Sequence, residues 1–191
     1  MIKQERSILD LFKSISRSPI SSRDAFSALY ENTHLSVFRY IYGLVGGKQQ
    51  EAEDLASETY LRAWRARKGF VGDKDGAAGW LFTIARRQVI DAYRRQTGRP
   101  LVDGDLEADL PDERTSPEGE VIQKEEQEGL WVRLGSIPMP AREMLVLRYL
   151  VGWKVNHIAD HLNIPDNTVS VTMQRALDKL RAAWQPEDER K

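Results

Sequence analysis

Two groups of side chains in this sequence have the types and spacing to grip a polyanion; taken alone, the first is a basic amphipathic helix whose cationic face is either simply solvated or turned to a nucleic acid. In WLFTIARRQVIDAYRR, residues 80–95, the four arginines Arg86, Arg87, Arg94 and Arg95 stand beside a single acid. At 100° per residue, Leu81, Phe82, Ile84, Ala85, Val89, Ala92 and Tyr93 form a wide apolar arc. Thr83, Arg87, Asp91 and Arg94 fall opposite it, with Arg86 at one edge and Arg95 nearer the other. Asp91 follows Arg87 by four residues, the spacing of a helical ion pair, which would neutralise one arginine at most. Trp80 and Tyr93 could stack on unpaired bases, although Trp followed by Leu-Phe reads better as core packing.

The second group lies in KVNHIADHLNIPDNTVSVTMQRALDKL, residues 154–180. Two helices that cross steeply need a small residue where they touch, a residue tolerant of positive φ in the turn, and an aliphatic plug from the second helix. Ala159, Asn163 and Val169 fill those roles, with Ile158, Leu162 and Ile164 in the core. Asp166 or Asn167 can cap the second helix. Its buried side is Val169, Met173, Ala176, Leu177 and Leu180; its outer side is Asn167, Ser170, Val171, Gln174, Arg175 and Lys179. Amides, hydroxyls and guanidinium groups on one helix face suit base edges and phosphates in a major groove. Arg175 and Gln174 rank first, since both can make bidentate contacts.

Other chemistries lack their residues. There are no cysteines, which removes disulfides, thiolate metal sites and a cysteine nucleophile. His157 and His161 have the i, i+4 spacing of zinc ligands, but no third ligand accompanies them, so no metal is expected. GDKDGAAG lacks the ligands of a calcium loop. Gly72, Gly76 and Gly79 follow no strand and precede no Lys-Ser/Thr pair, which disfavours a nucleotide-binding loop. No Ser/His/acid grouping is present. The expectation is a non-enzyme with no cofactor and no small-molecule substrate.

The elements that must position these groups are helical. At 191 residues, with 41% hydrophobic and 30% charged residues, the chain suits one ordinary domain or two small ones. Its net charge of −1 hides an asymmetry. Residues 103–128 hold eleven acids and two bases, while the remainder holds 26 bases and 18 acids, so two basic flanks border an acidic segment. Apolar periodicity predicts helices over about 24–45, 50–67 and 80–95, with FVGDKDGAAG as a glycine-rich loop before the third. Residues 98–128 have linker composition. A second helical unit is predicted from near Leu130 to about Trp184, with a helix over 141–150 behind Pro138 and Pro140. The amphipathic patch Ile8, Leu9, Leu11, Phe12 and Ile15 has no assigned role. The start lacks a signal-peptide core and no apolar run is long enough to cross a bilayer, so a cytoplasmic protein without membrane insertion is expected. The fold class is all-α: two small helical domains joined by an acidic flexible linker, the second a helix-turn-helix.

EAEDLASETYLRAW, then WLFTIARRQVIDAYRR, then LGSIPMPAREMLVLRYLVGWKVNHIADHLNIPDNTVSVTMQRALDKL together resemble a bacterial RNA polymerase sigma factor of the extracytoplasmic-function group. The resemblance covers roughly residues 24–97 and 130–184. It implies an N-terminal extension over 1–23, a region 2-like domain over 24–97, a linker over 98–128, a region 4-like domain over 129–185 and a tail over 186–191. It further implies that Asp54, Ser57 and Glu58 dock on the clamp of core RNA polymerase. The loop and the opening helix would hold the melted minus-ten element, and the helix-turn-helix would read the minus-thirty-five element of promoter DNA. An anti-sigma factor would be a further partner. The acidic linker could occupy the polymerase's basic nucleic-acid channel. The sequence departs from the family's usual residues at Ser57 (Gln), Arg87 (Asn), His157 (Glu), Asn163 (Gly) and Ser170 (Lys), which bears on clamp contact and promoter preference. The alternative reading is an autonomous helix-turn-helix regulator that never joins polymerase; a pure interaction protein is a third.

Overall fold

A computed structural model describes residues 18–97 and 122–184, except for the side chains of 74, 75, 97, 122–128 and 184. The apolar patch from Ile8 to Ile15, residues 98–121 and the tail at 186–191 lie outside it. Among the described residues there are helices and no strand.

In the first unit, α1 (Arg23–Leu44) starts on Ser22, whose hydroxyl accepts the Ala25 N–H at 3.2 Å, with Asp24 in the first turn. It ends before Gly46 and Gly47, both at positive φ, 70° and 80°. Helix α2 (Gln49–Ala66) turns Ala52, Leu55, Thr59 and Ala63 inward at spacings of three and four. Tyr60 and Thr33 join it to α1 through a buried hydroxyl pair at 2.9 Å.

Helix α3 (Lys74–Thr97) begins six residues before the predicted start, so half of the expected glycine-rich loop is its first turn. The physical reason is Asp73, whose Oδ1 accepts the Gly76 N–H at 2.7 Å and supplies a start that outweighs the glycines' poor propensity. Leu81, Phe82, Ala85, Val89 and Ala92 are buried, as the apolar arc required.

In the second unit, α4 (Ile122–Gly135) also starts early, inside the stretch expected as linker. Its QKEEQE run is acidic but composed of helix formers, and propensity prevails over linker composition there. Helix α5 (Met139–Leu145) carries Pro140 in its first turn, where a missing N–H costs nothing. It continues as a π-wound turn over Val146–Val151 rather than as plain helix to 150, and Gly152 at φ 88° stops it. Helices α6 (Val155–Leu162) and α7 (Asp166–Trp184) make the helix-turn-helix. Asn163 holds the turn at φ 54°, ψ 48°. Ile158, Ala159, Val169, Met173 and Ala176 are buried between them.

The two units also pack on each other and share one apolar core. The contact runs between α1 and the α5–π segment. An ideal Cβ on Gly43 would lie 2.7 Å from Val146 Cγ2 and 2.8 Å from Leu150 Cδ1, so only glycine admits this approach. Tyr42 meets Trp131 edge to face at 4.9 Å.

Candidate nucleic-acid interface and the seam between the domains

Helix α7 presents the predicted outer face intact. Asn167, Ser170, Val171, Gln174, Arg175 and Lys179 are all exposed, Val171 by 40%. Burial of Val169, Met173 and Ala176 against α6 fixes the helix's rotation, and that rotation points these six outward. Two of them have partners: Gln174 Nε2 donates to Asp178 Oδ1 at 3.1 Å, and Lys179 Nζ reaches the Ser136 carbonyl at 3.5 Å. Both bonds are exposed and exchange readily for a phosphate or base edge. Asp166 is the first residue of α7 and not the residue before it; the Pro165 carbonyl accepts the Val169 N–H. Its carboxylate therefore acts on the helix dipole.

Helix α3 is less uniform. Arg87, Arg94 and Arg95 are exposed along one side, Arg95 donating to the Asp91 carbonyl at 3.2 Å. The expected Arg87–Asp91 ion pair does not form; both side chains are exposed. Arg86, at the edge of the expected DNA face, pairs through its Nε with Glu143 Oε2 at 3.0 Å. Its edge position on the helix put it within reach of the other domain. Trp80 packs on Phe70, ring centroids 5.1 Å apart, as the core reading anticipated.

The seam holds residues that sequence reasoning missed. Glu143 is 2% exposed, yet its two oxygens take the Arg86 guanidinium and the Tyr40 hydroxyl, the latter at 2.5 Å. Burial, then the neighbouring Glu143 charge, pushes the Tyr40 phenol well above its ordinary 10, so it stays a protonated donor. Arg142, 6% exposed, donates to the carbonyls of Leu44 (2.9 Å) and Ile137 (3.0 Å) and to that of Gly135. It thereby satisfies the buried C-terminal end of α1 at the Leu44 carbonyl. Burial lowers it to about 10, which still leaves it charged at neutral pH. One signal was available: Arg142-Glu143 is a charged pair inside the apolar run IPMPAREMLVL, and buried charges require partners.

The histidines belong to the same seam. Trp153 stacks on His157 at 3.9 Å and meets His161 at 5.1 Å and Phe82 of α3 at 4.7 Å. Burial first, then His157 and Arg86, lowers His161 to about 4, so it is neutral at pH 7. Their i, i+4 spacing serves an aromatic stack, and among the described residues no group of three ligating side chains could hold a metal.

Asp54 and Ser57 are exposed on α2; Asp54 accepts from Gln50 at 3.3 Å. Glu58 pairs with Arg62 at 2.7 Å. No helix among the described residues is long and apolar enough to cross a membrane.

The sequence matches sigma-70 region 2 over residues 29–99 and sigma-70 region 4 over 128–180. It is 30% identical to the ECF RNA polymerase sigma factor SigL of Mycobacterium tuberculosis, over 83% of this chain and 88% of that protein. The chain belongs to the extracytoplasmic-function sigma factors. BldN of Streptomyces coelicolor is 32% identical over 92% of this chain and 66% of its own length; SigX of Bacillus subtilis is 28% identical over 83% and 82%. In fold, this sigma factor is similar to CnrH as seen in complex with the cytosolic domain of CnrY, with a TM-score of 0.63 and 21% identity over 91% of this chain and 94% of that one. It also resembles the sigma factor RpoE of Bartonella quintana in complex with the anti-sigma factor NepR, with a TM-score of 0.59 and 18% identity over 82% and 94%. Like its family, this sigma factor binds core RNA polymerase and directs promoter-specific transcription initiation, and the reading as a free-standing regulator gives way to that one. The family is not known for enzymatic activity.

Proposed function

We propose that this sigma factor reads its promoter with two faces. Arg87, Arg94 and Arg95 of α3 hold the melted minus-ten element. Asn167, Ser170, Val171, Gln174, Arg175 and Lys179 of α7 read the minus-thirty-five duplex. Asp54, Ser57 and Glu58 of α2 make the clamp contact with core polymerase. The observation that carries the reading is the outward polar and cationic face of α7, held in register by a buried plug at Val169. In this reading 24–97 and 129–185 are the working domains, the protein acts in the cytoplasm and catalyses no reaction, and an anti-sigma factor regulates it. DNA melting draws on binding energy, because unpaired bases are captured as they leave the stack.

Run-off transcription with purified core polymerase tests this. A promoter-specific transcript is expected, and Arg175→Ala should weaken upstream duplex binding by about 1–3 kcal/mol, roughly 5- to 150-fold. No promoter-specific transcript, together with no co-purification with core, would overturn the reading.

A further inference from the structure

The exposed side of α3 holds one group that a plain phosphate grip does not explain. Asp91 lies between Arg87 and Arg95, one helical turn from each, and all three are exposed. A carboxylate in that position repels a phosphate backbone and weakens the hold of the arginines around it. Neither Arg87 nor Asp91 has a side-chain partner among the described residues. Arg95 donates to the Asp91 backbone carbonyl and leaves the carboxylate open.

The other polar groups along the helix are engaged or buried. Thr83 donates its hydroxyl to the Gly79 carbonyl at 3.1 Å, Arg86 pairs with Glu143, and Gln96 donates to Glu51 at 3.0 Å. Gln88 is 2% exposed. Between Thr83 and Arg94 the outer side therefore offers a donor fork at 87 and an anionic acceptor at 91. Residues four apart are neighbours on a helix surface, so the two stand side by side without joining each other.

A donor fork beside an acceptor matches a base pair and not a backbone. In the major groove guanine shows two neighbouring acceptors, N7 and O6, which suit the parallel N–H groups of an arginine. Its cytosine partner shows the N4 amino donor, which suits a carboxylate. A phosphate offers acceptors alone, so it satisfies Arg87 and repels Asp91.

We propose that Asp91 is a base-reading residue of this sigma factor: with Arg87 it reads one G·C pair at the upstream edge of the minus-ten element, where duplex gives way to the melted strand. Arg87 donates to guanine N7 and O6, and Asp91 accepts from cytosine N4. The inference rests on the two-face reading above and deepens it, since it names a base pair that the first face requires. Arg94 and Arg95, further along α3, hold flanking phosphates and fix the register. The acid serves discrimination: it lowers affinity for every sequence and restores it only where a cytosine amino group is in place.

A promoter library tests this. A promoter that the parent protein transcribes in run-off is randomised over its minus-ten element and the base pairs just upstream. Core polymerase is combined with the parent, with Asp91→Ala, or with Arg87→Gln plus Asp91→Asn, and the templates held in heparin-resistant open complexes are sequenced. The parent should favour a G·C pair at one position by roughly tenfold or more. Asp91→Ala should cut that preference about fivefold at that position and leave the others as they were. The double variant should favour A·T there, because glutamine matches adenine N6 and N7 and the asparagine amide donates to thymine O4. A residue that only held phosphates or the helix would not move a base preference. All the substituted side chains are exposed, and circular dichroism checks that the fold survives.

No G·C preference in the parent, an unchanged profile with Asp91→Ala, or no move to A·T in the double variant would overturn the inference and leave the promoter reading standing. So would a change spread evenly over all positions, which marks phosphate contact or general charge. A parent protein that co-purifies with core yet transcribes no promoter overturns the promoter reading and this inference with it.

Discussion

Helices α3 and α7 share a plan: an apolar arc sunk in a core and a cationic, polar face opposite. They differ in what stands beyond that face. The outer side of α7 meets solvent along its whole length, so all six of its predicted reading residues stay exposed. One edge of α3 meets the other domain, and there Arg86 is taken by Glu143. A helix's periodicity says which residues point away from its own core. It does not say whether another domain lies in that direction.

The strongest way to break the comparison is to destroy one side of it. Val169→Asp buries a carboxylate where the plug is 0% exposed, and it should cost the second domain more than about 3 kcal/mol. Urea titration should show an early transition, with α1–α3 still cooperative. A single unshifted transition would mean that Val169 does not hold the helix-turn-helix. Arginines on α3 provide a finer contrast. Arg87→Ala and Arg94→Ala should each slow open-complex formation by roughly tenfold, about 1.4 kcal/mol. Arg86→Ala should cost less, because its guanidinium is held by the Glu143 carboxylate at 3.0 Å and not on the open face. Equal losses at 86 and 87, measured by permanganate reactivity of the melted strand, would erase the distinction drawn between them.

The smallest expected effect is a pH slope. His161 sits at about 4 in the docked molecule against its ordinary 6.5. Above pH 6.5 it is neutral whether docked or not and contributes no slope. As pH falls from 6.5 toward 4, the undocked chain takes up a proton that the seam refuses, so the docked state weakens. Melting temperature should fall between pH 7 and pH 5, and His161→Gln should flatten that fall. An identical slope in both proteins would remove His161 from the account.

Local signals were legible where a residue's role depends on its neighbours in sequence. The plug at Val169, the left-handed Asn163, the inward faces of α1 and α2 and the exposed face of α7 follow from spacing of three and four and from backbone sterics. The early starts of α3 and α4 are hidden by composition: Asp73 caps a helix beside glycines, and helix formers lie within an acidic run. The i, i+4 histidines stack on Trp153, which packs on Phe82 from about seventy residues away, and spacing within one helix does not reveal that contact.

By itself the sequence determined two helical units, a helix-turn-helix and two cationic faces, because helix period, turn sterics and burial of apolar stripes act over short stretches of chain. Only the tertiary structure decided that Arg142 and Glu143 are buried, that Gly43 admits Val146, and that Arg86 is held at a seam and not on the open face. Those outcomes join residues 57 to 103 positions apart. A buried charge is tolerable only where its partners converge in space, and nothing in the local order of residues specifies that convergence.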